Sequence, residues 1–156
     1  MFQLRREYSF EVDVPIEEVW EFSSNCNNWI STNERIENFL IEGPFAAGAK
    51  VKVKIKGKDA FVTMWITEVI QNKVYKVLLD FSIYKIETSM SFERSGSDKT
   101  RITESTYVSG LIVPFMKSKL LKDLEEQKLL LTEQYKNLEK QSLVNMNELC
   151  EILSKD

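Results

Sequence analysis

The sequence predicts a single α+β domain: an antiparallel sheet of about seven strands, two short helices after the first strand, and a long C-terminal helix against the sheet. Three observations carry this. Even-numbered residues from Phe2 to Val14 are apolar apart from Arg6, and the odd-numbered ones between them are polar. From Ile36 to Val108, short extended runs follow one another with brief turn signals between them. After Gly110 only one proline occurs, Pro114, and apolar residues recur at helical spacing to Leu153. A helix that arrives last must bury its stripe on the preceding sheet, and that arrangement makes a container.

The first strand sets Phe2, Leu4, Tyr8, Phe10, Val12 and Val14 on one face, against Gln3, Arg5, Glu7, Ser9, Glu11 and Asp13 on the other. This is the period-2 pattern of a strand with one solvated face. Asp13-Val14-Pro15 switches the period. Pro15 suits a first helical turn, Asp13 is a candidate cap, and Glu17 and Glu18 lie near the positive end of the dipole. Ile16, Val19 and Trp20 form a short helical face. Ser23-Ser24-Asn25 interrupts it before a second short helical piece carrying Trp29.

Strands resume at Ile36. Gly43-Pro44 and Gly48 lead into Lys50–Lys56, where Val51, Val53 and Ile55 alternate with four lysines. Those lysines read as a solvated face that aids solubility and protects a sheet edge. Gly57-Lys58-Asp59 is a hairpin turn. Strands are expected over Phe61–Ile70, Val74–Phe81, Ile83–Glu93 and Thr100–Val108, with turns at Gln71-Asn72 and Ser95-Gly96-Ser97-Asp98. Short connections imply an antiparallel meander.

At 156 residues, one domain spanning residues 1–156 can build a proper core without disulfides or metals. A net charge of −3 offers no basic face and argues against nucleic acid as a partner. No histidine occurs, which removes Ser-His-Asp and Cys-His nucleophile systems and His-ligated zinc. Any catalysis would fall to carboxylates, Lys, Tyr or backbone dipoles. Cys26 and Cys150 lack metal-type spacing and read as reduced thiols. No cofactor or metal site is expected. Nothing at the amino terminus resembles a signal peptide, and no run reaches the roughly 20 apolar residues of a membrane span, so the expected protein is not integral to a membrane and is cytoplasmic. Ser95-Gly96-Ser97 is a turn and not a phosphate loop, because no helix start follows it.

The terminal helix carries Leu120, Leu121, Leu124, Leu131, Tyr135 and Leu138 as its stripe, with Glu125, Glu126, Lys136, Glu139 and Lys140 largely opposite. Glu139-Lys140-Gln141-Ser142 is a polar interruption, beyond which Leu143, Val144, Met146, Leu149, Ile152 and Leu153 continue the apolar pattern. An unbroken helix from Pro114 would span on the order of 60 Å, more than a domain of this size can cover. Residues 141–156 are therefore expected to break away near Ser142 or to overhang. An overhang would be a surface for homodimer formation or a folded-back cap.

The run Phe10-Glu11-Val12-Asp13-Val14-Pro15-Ile16-Glu17-Glu18-Val19-Trp20, an alternating strand ending in a proline-led helix with a tryptophan, resembles the START-like superfamily. That superfamily includes polyketide cyclases and the Bet v 1-like plant allergens. Trp29 and the Gly43–Gly48 turn are similar to further features of it, and the likeness covers roughly residues 1 to 140. The resemblance implies a helix-grip fold, with a curved sheet around the long helix and a cavity for a hydrophobic molecule between them. Members bind lipids, sterols, polyketides, hormones or quinones; some catalyse aromatic cyclisation and others activate a chaperone ATPase. Fold alone does not choose among these.

Candidate site residues are polar groups on the expected concave face, where a buried charge needs a partner or a task. Arg6 interrupts the inward row of the first strand, and Glu104 shares a face with Thr100, Ile102, Thr106 and Val108 in the last. The helix-grip resemblance makes these strands antiparallel neighbours, so Arg6 and Glu104 are expected to meet as a charge pair that receives a ligand's polar group. Structural pairing alone is the plainer alternative. Tyr8, Tyr84, Met90 and Phe92 from the strands, with Leu124 and Tyr135 from the helix, are the candidate ligand contacts; Met64 or Trp65 and Phe10 add to the supply. Trp20 and Trp29 are expected to pack the short helices. Tyr8 or Tyr84 could donate a proton to an enolate, though no fixed spacing singles out either. The leading expectation is a non-enzymatic binder of a small hydrophobic or amphipathic molecule. A cyclase or dehydratase using Glu104, Arg6 and a tyrosine is the alternative, and a chaperone-activator-like interaction module is the third.

Overall fold

In the computed structural model, residues 2–32 and 35–154 are described. The expected helical extension reaches 156, and its last two residues lie outside that range. The elements in chain order are β1 (Gln3–Val12), α1 (Ile16–Ser23), a 3₁₀ stretch (Cys26–Thr32), β2 (Ile36–Glu42), β3 (Lys50–Ile55), β4 (Phe61–Ile70), β5 (Val74–Asp80), β6 (Tyr84–Gly96), β7 (Lys99–Gly110) and α2 (Val113–Ser154). The seven strands form one curved, unclosed sheet in the order β1-β7-β6-β5-β4-β3-β2. Every pairing is antiparallel. β2 to β7 form the expected meander. Only β1–β7 joins distant parts of the chain, and α1 with the 3₁₀ stretch carries the chain from one edge of the sheet to the other.

The second short helical piece, carrying Trp29, is present as a 3₁₀ stretch. Several expectations need correction. Pro15 occupies the N-cap of α1, at φ −58° and ψ 147°, and no side chain caps the helix. Asp13 instead receives the Glu139 carboxylate on its backbone N–H at 2.8 Å and faces Lys99 at 3.5 Å. β6 begins at Tyr84, one residue later than expected, and the β6–β7 turn is tighter, because pairing continues to Gly96 and Lys99. The lysine strand β3 is internal, with β2 outside it. Its lysines neutralise acids across that pair, Lys52 with Glu42 at 2.9 Å and Lys54 with Glu37 at 3.3 Å.

The long helix does not break at Ser142. It runs 42 residues, about 63 Å at 1.5 Å per residue. The polar segment 139–142 holds no helix breaker, and Glu, Lys and Gln are good helix formers. Ser142 is buried where the helix passes α1, and its hydroxyl donates to Glu18 at 3.2 Å. Beyond it every apolar side chain is exposed, from Leu143 at 61% to Leu153 at 65%. The surplus therefore overhangs.

The filled core lies toward α1. Trp20 meets Phe45, Tyr75 and Phe92 edge-on, and Trp29 stacks on Tyr75 with centroids 5.7 Å apart. Val14, Val19, Val51, Ile66 and Ile102 are fully buried around them. The Tyr135 hydroxyl reaches from α2 to Ser23 on α1 in a buried hydrogen bond, and Trp29 donates its indole N–H to the Ser23 carbonyl at 2.8 Å. With the aromatic mass at one end, the sheet and helix are not filled to contact at the other.

Candidate functional site

Between the concave face and α2 lies a cavity of about 410 Å³, within the range of small-molecule sites. Its wall is mostly apolar. Phe39, Met64, Val77, Ile86, Met90 and Val108 come from the sheet, while Met116, Leu120, Leu124 and Leu131 come from α2. The helical set falls at i, i+4, i+8 and i+15, one stripe on the inner side of the rod. Inner strand positions follow the period of two. Met64 therefore faces the cavity, whereas Trp65 faces out beneath Lys50 Nζ, 4.9 Å from its ring. Arg35, Lys119 and Asp123 form a charged rim, with Arg35 and Asp123 3.6 Å apart.

The polar exception deep in the wall is Glu104 with Thr106, buried to 6% and 4% exposure. The Thr106 hydroxyl donates to Glu104 Oε1 at 3.3 Å. Burial pushes the Glu104 carboxyl above the usual carboxylate range. Tyr8, Thr106 and the Arg6 charge oppose that rise and do not cancel it. Tyr8 stands opposite Glu104 in the β1–β7 register. Its buried hydroxyl lies near enough to the Glu104 carboxyl to favour the charged form of that group, though it makes no full hydrogen bond among the described residues. Burial, then the Glu104 charge, raises the Tyr8 phenol far beyond its ordinary value, so it stays protonated. Tyr75 and Tyr135 are raised chiefly by burial as well. The Cys26 thiol is pushed up to about 11 by burial, which makes it an inert core group.

The expected Arg6–Glu104 pair does not form. Arg6 is opposite Thr106, two residues along the strand from Tyr8, which stands opposite Glu104, and its guanidinium binds Glu125 of α2 at 2.6 Å. An exposed carboxylate on the helix is less costly to ionise than one buried in the wall, and it takes the cation. Arg6 still lies 5.9 Å from the Tyr8 ring centroid, and Lys128 Nζ lies 5.2 Å from it. Tyr8, Arg6 and Lys128 thus gather where β1 meets α2.

Of the eight candidate contacts, Tyr84, Met90, Glu104 and Leu124 line the cavity. Arg6 and Tyr8 stand behind the Glu104 wall on β1. Phe92 and Tyr135 pack in the filled core, Phe92 against Trp20 and Tyr135 against Phe10 and Phe22. Their inward faces follow from strand and helix periodicity, but their distance along the element places them in the core. Sequence reasoning missed Met116, Lys119, Asp123 and Gln127, although the stripe extended one turn back from Leu120 would have reached Met116. Thr88, opposite Thr106 in the register, was missed too; its alternation with Ile86 and Met90 was the signal. Among the described residues, no group of His, Cys, Asp and Glu could hold a metal ion. The wall can host an apolar body, meet one polar group at Glu104 and Thr106, and exchange a proton there.

No family model matches the chain, and a search of curated proteins finds no match. Solved structures do match. The Zhui aromatase/cyclase of a Streptomyces species superposes with a TM-score of 0.72 at 11% identity, covering 91% of this chain and 96% of that one. A START superfamily protein of Mycobacterium smegmatis superposes at 0.64 and 17% identity, covering 86% and 98%. The fold is the START-like helix grip. Norcoclaurine synthase of Thalictrum flavum is a third example, at 0.60 and 14% identity over 85% of this chain and 97% of that one. Identities this low establish the START-like fold and leave its contents to be read from the cavity itself. No helix among the described residues is long and apolar enough to cross a membrane.

Proposed function

We propose that this protein binds a small hydrophobic or amphipathic molecule, such as a lipid or polyketide, between the sheet and α2. The observation that carries this reading is the cavity of about 410 Å³, mostly apolar in its wall, with the buried Glu104 carboxyl and Thr106 hydroxyl facing it and a charged rim. Side chains filling that space would instead have favoured a protein-interaction module. The ligand's apolar body lies against Met64, Met90, Leu120 and Leu124, and its polar group meets Glu104 and Thr106. The free Cys26 and Cys150 are compatible with a cytoplasmic setting. Gentle purification, organic extraction and mass spectrometry test the proposal, together with displacement of an environment-sensitive fluorescent probe. A reproducible hydrophobic compound, or saturable probe binding, is expected. A clean extract and no probe binding would reject it.

A second reading has its own support. A carboxyl with a raised pKa facing the cavity, with a protonated tyrosine behind it, suits acid–base chemistry of the cyclase or dehydratase kind. In this reading Glu104 exchanges the proton and the Tyr8 hydroxyl stabilises its charged form. Turnover of a poly-β-ketone substrate that Glu104→Gln abolishes without loss of binding would favour it; turnover unchanged in that variant would remove it.

The overhang is proposed to pair with the overhang of a second copy. Met146, Leu149 and Leu153 continue the face that Leu131, Tyr135 and Leu138 turn to the sheet, yet all three are exposed. Light scattering over a concentration series tests this pairing, and a monomer at all concentrations would refute it.

A further inference from the structure

The end of the molecule nearest the charged rim carries a second surface that the cavity does not explain. Phe115 is 89% exposed, Leu111 72%, Phe2 57% and Ile83 54%. These side chains stand on one piece of backbone. The Leu111 N–H donates to the Ile83 carbonyl at 3.2 Å, and the Gly110 N–H donates to the Phe2 carbonyl at 3.1 Å. Gly110 makes the approach possible: its φ is +146°, and a Cβ there would lie 2.4 Å from the Ile83 carbonyl oxygen. Phe115 follows on the first turn of α2.

Charge accompanies the apolar patch. Residues 111–122 contain Lys117, Lys119 and Lys122 and no acid, whereas residues 123–154 contain seven acids and three lysines. None of those first three lysines makes an ion pair among the described residues. Phe115, Lys119 and Lys122 recur at i, i+4 and i+7, so the aromatic and two of the cations share a helix face. The nearby acid Asp80 is neutralised by Lys85 at 3.1 Å. The lysines of β3, by contrast, include two already matched to acids. The apolar overhang at the other end of α2 carries Glu148 and Glu151 and no lysine from 141 to 154.

We propose that this end of the protein docks reversibly on an anionic lipid bilayer. Phe115, Leu111 and Ile83 enter the boundary between headgroups and acyl chains, and Lys117, Lys119 and Lys122 face the headgroups. An exposed aromatic and aliphatic cluster beside cations that make no ion pair among the described residues fits a bilayer interface. Docking sets the rim residues Lys119 and Asp123 against the membrane, so the cavity opens toward a source of apolar ligand.

The test is sedimentation of the full chain with phosphatidylcholine vesicles, with and without phosphatidylserine. Binding is expected only with phosphatidylserine and is expected to weaken as salt rises. Phe115→Ser should lower affinity on the order of ten-fold or more, and Lys117→Gln with Lys122→Gln about five-fold per lysine. Leu149→Ser in the overhang should leave vesicle binding unchanged. The substituted side chains project into solvent, and thermal unfolding checks that each variant folds. Probe binding to the cavity in Phe115→Ser should match the unmodified protein, which separates this proposal from the cavity reading. No binding to phosphatidylserine vesicles, binding indifferent to Phe115→Ser, or a dimer that Phe115→Ser dissolves would each overturn it.

Discussion

Replacing Glu104 by Gln separates the charge of this side chain from its shape. Gln keeps the length and offers an amide oxygen to the Thr106 hydroxyl, so the 3.3 Å hydrogen bond has a successor. Only the ability to ionise is lost. Burial raises the Glu104 pKa in the fold above that in the unfolded chain. Below the unfolded value both states are protonated, and the group is neutral to stability. As pH climbs from the unfolded value toward the folded one, the unfolded chain releases its proton first, and the folded protein loses stability relative to it. Above the folded value the full penalty is present.

Glu104→Gln removes that penalty. The variant should be more stable than the unmodified protein in mildly alkaline solution, with the gain shrinking toward zero near pH 4. Urea unfolding at a series of pH values measures it. A stability difference that does not vary with pH, or a variant less stable at alkaline pH, would refute the argument that Glu104 is an unneutralised acid in the wall. The same variant should lose affinity for a ligand whose polar group meets Glu104, so a stability gain with a binding loss is the expected signature of a functional residue.

Filling the cavity by Leu120→Trp should abolish ligand-probe binding while leaving the unfolding transition cooperative, since the ring enters existing space; unchanged probe affinity would place the ligand elsewhere. Tyr135→Phe removes the buried bond to Ser23 and strands the Ser23 hydroxyl, 2% exposed. It should cost about 1–2 kcal/mol in urea unfolding with little effect on ligand binding, because Tyr135 lies in the filled core. Ending the chain after Ser142 removes only exposed side chains from α2. Stability should then change by less than about 1 kcal/mol, and light scattering should show loss of self-association.

The order of elements was legible in the sequence because it rests on local periodicities. Alternation over Phe2–Val14 marks a strand with one wet face, and recurrence over Leu120–Leu138 marks a helix with one dry stripe, whatever surrounds them. The turn signals bounded the meander, and α2 lacked any breaker after Pro114. Of the two expected outcomes at Ser142, a break or an overhang, the overhang holds, because Glu, Lys, Gln and Ser interrupt a hydrophobic pattern without ending a hydrogen-bond ladder.

Periodicity says which face a residue occupies and not how far along the element its neighbours lie. Phe92 and Met90 share one face of β6, yet Phe92 sits against Trp20 in packed aromatics while Met90 borders open space. Tyr135 and Leu124 share the inner stripe of α2 and divide the same way. The partner of Arg6 was likewise a tertiary matter. Strand order put Arg6 and Glu104 on adjacent strands, but only the path of α2 brought Glu125 within 2.6 Å. The sequence by itself determined the strands, the long helix and its surplus. Packing fixed where the aromatic mass filled the grip, where it left room, and that Glu104 faces that room without an ion-pair partner among the described residues, because those depend on how far distant segments overlap once packed.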